Sequence, residues 1–345
     1  MVLLILILQL AVPSDNFMIQ GRSALKESRY ADAEKFLTLV IENAEKARLS
    51  DTQLGVAYND LAETYRRTGR YSEAKTLFEK SLALLRKTTE PTRELVTILN
   101  NAGALYMDTG QYMRSAELYD ESLKVAKKAL PPNDALFGTI YNGLGLITSA
   151  NGDLGKAEKY IQKSLQIREA ALGPDNADVG ETLNNLGALQ LRRKQYARAE
   201  VTLTRGLHVI EQTQGSGHLD VAIVSNNLGV VYHSQKKFSA AEQLFRRSLA
   251  IYKSSFPGED RHIANSLFNL SAVLMDEGKP SEAEPLLKEA IAIRAARPHP
   301  VAEEDAAVYE KYAAALRLNG DSLGAETAES RARSMRRELQ FTFRP

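Results

Sequence analysis

From Ser225 to Tyr252 the chain reads SNNLGVVYHSQKKFSAAEQLFRRSLAIY. Count so that Gly229 is position 8 and wind the first half at about 100° per residue. Positions 4, 7, 8 and 11 then share one face, which carries Leu228, Gly229 and Tyr232. Positions 2, 5, 6, 9, 12 and 13 share the opposite face. The pattern predicts a first helix, a short turn and a second helix holding Ala241 and Phe245. The register recurs along the chain. The Gly229 position is filled in turn by Gly21, Ala62, Gly103, Gly145, Gly187, Gly229, Ser271 and Ala313. The Ala241 position is filled by Ala33, Ala74, Ser115, Ala157, Ala199, Ala241, Ala283 and Ala325. Both series step by 41 residues twice and by 42 thereafter. Two antiparallel helices pack tightly only where neither presents a large side chain. Small residues locked in two registers therefore predict an array of eight helical hairpins.

The boundaries follow from the helix breakers. The array is expected over residues 14–340, with repeats near 17–48, 52–88, 93–129, 134–171, 176–213, 218–255, 260–297 and 303–340. Junctions such as Pro131-Pro132-Asn133-Asp134, Gly173-Pro174-Asp175, Pro257-Gly258-Glu259-Asp260 and Pro298-His299-Pro300 end one helix and cap the next. Turns inside hairpins carry Gly69, Gly110, Gly152, Gly278 and Gly320, where glycine supplies the left-handed residue that closes a helix. The last hairpin has Glu329 where Phe245 would stand, and its final helix is rich in Arg and Glu. It reads as a cap, because a terminal repeat needs a polar outer face. No shift in composition marks a second domain.

The motifs Leu183-Asn184-Asn185-Leu186-Gly187 and Ser225-Asn226-Asn227-Leu228-Gly229, with the later Ala and Phe, resemble tetratricopeptide repeats. The period is about eight residues longer than usual. Long repeats of this kind, with junctions such as His218-Leu219-Asp220-Val221-Ala222 and Asp178-Val179, resemble those of kinesin light chain and its bacterial relatives. The resemblance covers about Phe17 to Gln340. It implies an all-α right-handed superhelical solenoid whose first helices line a concave groove. It also implies a protein or peptide partner; in kinesin light chain the groove asparagines hold a cargo peptide. That family's motor-binding coiled coil has no counterpart here.

On that reading the groove face holds an asparagine ladder. Positions 5 and 6 are Asn59 and Asp60, Asn100 and Asn101, Asn142 and Gly143, Asn184 and Asn185, Asn226 and Asn227, and Phe268 and Asn269. The terminal repeats break it with Met18 and Ile19, and with Glu310 and Lys311. Asparagine is a poor interior helix former, so its recurrence needs a reason. Either the carboxamides, each donor and acceptor, bind the backbone of an extended peptide, or they bond neighbouring helices and fix the hairpin spacing. Arg67 and Arg192, at position 13, are placed to draw an acidic ligand. The expected function is a non-catalytic scaffold that binds a peptide or protein in its groove. The alternative is a structural or self-associating module acting through its convex face or its ends.

Bulk chemistry narrows the field. Net charge is +1, from 44 basic and 43 acidic residues. No global field favours nucleic acid or an anionic membrane. The absence of cysteine removes disulfides, thiolate metal sites and cysteine nucleophiles. The five histidines, His208, His218, His233, His262 and His299, have no metal-ligand spacing. No phosphate loop, nucleophile elbow or paired-histidine zinc helix is present. No catalytic residue, cofactor or metal is expected. Met1 to Val12 is an apolar run followed by Pro13, too short for a bilayer span of about 20 residues. Residues 1–13 read either as an export signal, giving a secreted or periplasmic protein, or as a segment packed on the first hairpin of a cytoplasmic one.

Overall fold

The turn inside each hairpin is closed by one residue with positive φ at position 15. It is glycine at Gly69, Gly110, Gly152, Gly278 and Gly320, with φ between 73° and 89°. In the other three hairpins Ser28, Lys194 and Lys236 take the same conformation, with φ of 58°, 58° and 61°. The left-handed residue is therefore a demand of the turn and not a habit of glycine. The computed structural model describes residues 14–87, 90–255, 261–296 and 303–342. The apolar N-terminal run, the junctions at 257–260 and 298–300, and with the latter His299, lie outside the described residues.

The chain divides into two units, Met1–Leu172 and Gly173–Pro345. In the first, the hairpins are α1 (Ser14–Lys26) with α2 (Tyr30–Glu42), α3 (Asp51–Arg67) with α4 (Tyr71–Leu85), α5 (Arg93–Asp108) with α6 (Tyr112–Ala129), and α7 (Ala135–Ala150) with α8 (Leu154–Leu172). In the second they are α9 (Ala177–Arg192) with α10 (Tyr196–Gln214), α11 (Leu219–Ser234) with α12 (Phe238–Ser255), α13 (Arg261–Asp276) with α14 (Pro280–Ala295), and α15 (Glu303–Leu318) with α16 (Ser322–Thr342). No strand occurs among the described residues. The protein is an all-α repeat solenoid.

Polar junction residues cap the first helices. Ser50 and Gln53 form a reciprocal capping box on α3, and Thr92, Asp134, Asn176 and His218 accept from backbone N–H groups at the starts of α5, α7, α9 and α11. Each such bond satisfies a donor that the helix leaves unpaired.

Within a hairpin the small residue at position 8 receives the large residue at position 24. A Cβ on Gly229 would lie 2.7 Å from Phe245 Cε1, one on Gly103 2.8 Å from Tyr119 Cε2, and one on Gly21 2.7 Å from Leu37 Cγ. Phe245 and Leu37 are fully buried, so these side chains have nowhere to retreat. A third small register runs through position 27, as Ser81, Ser122, Ser164, Gly206, Ser248, Ala290 and Ala332. Ser81, Ser122 and Ser248 donate to the carbonyls of Gly55, Val96 and Ala222 at distances of 2.6, 3.3 and 2.9 Å. Those carbonyls stand at position 1 of the same hairpin.

Within each unit, successive first helices touch (α1, α3, α5, α7; α9, α11, α13, α15), while among the described residues successive second helices do not. Each second helix instead packs on the first helix of the following hairpin in its own unit. Each unit therefore bends with its first helices on the inner side. On the outer side, a cation at position 16 reaches a carboxylate at position 21 of the preceding hairpin. These pairs are Arg70–Glu34 at 2.8 Å, Lys237–Glu200 at 2.9 Å and Lys279–Glu242 at 3.4 Å. Arg70 also lies 3.8 Å over the Tyr65 ring, and Lys237 5.0 Å over Tyr232.

Candidate binding face

Positions 5 and 6 sit on the inner side of each unit, and their asparagines bond to one another across hairpins. Asn101 Nδ2 donates to Asn59 Oδ1 at 3.0 Å. Asn227 donates to Asn184 at 2.8 Å, and Asn269 to Asn226 at 3.0 Å. In each bond position 6 of one hairpin donates to position 5 of the hairpin before it. The spacing is 42 or 43 residues, one repeat. The carboxamides are thus inter-hairpin ties, one of the two roles the sequence leaves open. The tie engages a single N–H of the donor, so Asn101, Asn227 and Asn269 keep a second N–H and a carbonyl oxygen for other partners.

The ladder is not uniform. Gly143 stands at position 6 after Asn100, and the Tyr119 ring fills the space where its Cβ would be. Asn100 instead accepts from Ser122 Oγ at 2.7 Å, and its Nδ2 has no hydrogen-bond partner. Asn100 and Asn142 are only 3 % and 5 % exposed. This corrects the expectation that both face a groove ligand: they are buried groups. Asn101, Asn184, Asn185, Asn226, Asn227 and Asn269 are half-buried.

The two units present different inner surfaces. In the first, Glu63 bonds Arg66 at 2.7 Å and Arg67 at 2.6 Å, Arg66 reaches Asp108 of the next hairpin at 2.5 Å, and Arg22 reaches Asp60 at 2.6 Å. Burial pushes the Glu63 carboxyl up, but the guanidiniums of Arg66 and Arg67 outweigh it and hold the group below its ordinary range. For Asp60 burial prevails over Arg22 and the carboxyl is pushed up. Arg67, placed from the sequence for an acidic ligand, is exposed but already spends its charge on Glu63.

In the second unit the ties are bracketed by partly buried apolar side chains on the same helices, Leu191, Ile223, Val230, Phe268 and Met275. Arg192 is exposed at its edge. His233 Nε2 meets Asp276 Oδ2 of the next hairpin at 2.6 Å, a further tie. Sequence reasoning also misses the serine register at position 27 and the 16-to-21 ion pairs. Both were legible as 41- and 42-residue recurrences, but their partners were not. Among the described residues no cluster of His, Asp and Glu could hold a metal, and no helix is long and apolar enough to cross a membrane.

A tetratricopeptide repeat family model matches residues 19–87, 136–209 and 205–254, and a second one matches 95–135 and 263–296. No curated protein matches the chain. Among solved structures, BtubC (BKLC) from P. vanneervenii is 25 % identical, with a TM-score of 0.52 over 71 % of this chain and 93 % of that one. A kinesin-light-chain-like protein of nearly identical repeats from Podosopora anserina is 20 % identical, with a TM-score of 0.50 over 58 % of this chain and 94 % of that one. The apo form of RapI shares the fold at 10 % identity, with a TM-score of 0.62 over 95 % and 98 %. Register, hairpin packing and these matches agree: the chain belongs to the tetratricopeptide repeat family, in the class of kinesin-light-chain-like repeats.

Proposed function

We propose that the chain is a non-catalytic scaffold that holds an extended segment of another protein along its first helices, with the inner face of the second unit as the main seat. Tetratricopeptide repeats generally serve as protein-interaction scaffolds, so membership of that family supports the coarse reading. The observation that carries the finer one is the pair of ties at Asn227 and Asn269. A carboxamide held by one hydrogen bond is already oriented, so less entropy is lost when its other groups meet a peptide backbone. The apolar side chains beside the ties offer burial to every second residue of an extended ligand. In the second unit the contact groups are Asn185, Asn227 and Asn269 together with the amide N–H groups of Asn184 and Asn226, whose carbonyl oxygens accept the ties, and Arg192 stands at the rim. In the first unit, taken by itself, Asn101 on its tie to Asn59 and Arg67 are the corresponding groups.

The test separates recognition from tying. Asn184→Asp with Asn226→Asp retains both ties, because a carboxylate accepts from the same N–H groups, but removes two amide donors and adds charge. Peptides selected from a random display library on the purified protein should bind this variant at least about tenfold more weakly, with its melting curve unchanged. Selected peptides that bind both proteins equally, or a library that yields no binder, would overturn the assignment.

A further inference from the structure

The junction between the second and third hairpins opens a cavity of about 250 Å³. None of its lining residues stands at an inner-face position, so it is separate from the tie row. Pro91, Leu95 and Val125 are its apolar part, and Leu95 is buried. The rest is charged: Arg86, Lys124, Lys128 and a single carboxylate, Glu90. Arg86 is spent on Glu121, to which its Nε and Nη2 donate at 3.1 and 2.6 Å. Lys124 and Lys128 are exposed and meet no carboxylate among the described residues. Two ammoniums against the Glu90 carboxylate leave the lining one positive charge in excess.

The repeat does not require this pair. Lys124 and Lys128 stand one turn apart on α6, at positions 29 and 33, where like charges repel. The same positions hold Ala83 and Lys87 in the hairpin before and Gln166 and Ala170 in the one after, and in no other hairpin are both basic. A carboxylate has two accepting oxygens, so one such group can bridge both ammoniums, and its single charge matches the excess. The cavity has the volume of roughly eight waters, more than a carboxylate fills. The remainder lies beside Pro91, Leu95 and Val125, which offer water few hydrogen bonds and favour an apolar group. We propose that this cavity is a binding site for a small organic monoanion, with its carboxylate between Lys124 and Lys128 and an apolar group the size of a phenyl ring against Leu95 and Val125.

Phenylacetate is the probe. Titrated into the full-length protein to about 10 mM, it should shift the backbone amide NMR signals of Leu95 and Val125 saturably. Lys124→Gln with Lys128→Gln should weaken its binding at least about tenfold, with the melting curve unchanged because both side chains are exposed. Neutral phenylacetamide and acetate, which lack the charge and the ring respectively, should each bind the unaltered protein at least about tenfold more weakly. No saturable shift, or shifts confined to other helices, would overturn the proposal. So would equal binding by the double variant. Acetate binding as tightly as phenylacetate would overturn it too, because surface charge alone would then account for the contact.

Discussion

Position 15 places a lysine where the backbone must be left-handed in two hairpins, at Lys194 and Lys236. The left-handed region costs an L-residue roughly 1–2 kcal/mol, and glycine gives part of that back through its freer unfolded chain. Lys194→Gly and Lys236→Gly should therefore each stabilise by up to about 1 kcal/mol, read as a higher urea midpoint; a fall would mean the lysine side chains contribute more than the strain costs. Two carboxyls one helical turn apart, Asp60 buried and Glu63 half-buried, should respond oppositely to pH. Glu63 is held below its ordinary value of 4.5, so its stabilisation is present above that pH and is lost as pH falls through the folded value. Glu63→Gln leaves two guanidiniums short of their partner and should cost about 3 kcal/mol at pH 7, a loss that vanishes in acid. Asp60 is pushed above its ordinary value of 3.8, so its ionised form burdens the fold at neutral pH. Asp60→Asn should raise stability at pH 7, and the gain should disappear as pH falls through the folded value towards 3.8. Urea midpoints across pH 3–7 for both variants check both signs.

Between elements, the inner and outer sides are joined by different chemistry. First helices are laced by neutral carboxamide pairs in both units, joined in the first by a carboxylate–guanidinium network. Losing the donors in Asn227→Ala with Asn269→Ala removes two hydrogen bonds of about 0.5–1.5 kcal/mol each. The better helix propensity of alanine returns up to about 0.7 kcal/mol per site. The double variant should thus melt slightly lower, and a clearly higher melting temperature would mean the ties contribute nothing. The packing register is far less forgiving. Gly229→Leu would drive a side chain into the buried Phe245 ring and should cost at least about 1–3 kcal/mol.

At the scale of the whole molecule, a solenoid's hairpins depend mainly on their neighbours. The second unit illustrates this, with one continuous apolar cluster running from Ala199 to Ala315 across its hairpins. Gly229→Leu should therefore raise amide hydrogen exchange in α9 to α14 while α1 to α6 keep their protection. Uniform loss of protection over all helices would show that the array unfolds as a single cooperative body.

The sequence by itself determined the repeat, its period and its hairpins, because position 8, position 20 and the turn at position 15 are local demands that recur every 41 or 42 residues. It also placed the asparagines on one face, since the helical period alone decides that. It did not decide what they do. Asn184 and Asn227 meet only because stacking brings position 6 of one hairpin to position 5 of the one before, and that offset is a property of packing. Asn100 is buried and accepts from Ser122 on the second helix of its own hairpin, a contact that only the packing of the two helices brings about. Arg67 pairs with Glu63 one turn earlier on the same helix, which the helical spacing already allows, whereas the reach of Arg66 to Asp108 of the next hairpin needs the stacking. Tertiary structure settled these points because a side chain's role depends on which neighbour reaches it first.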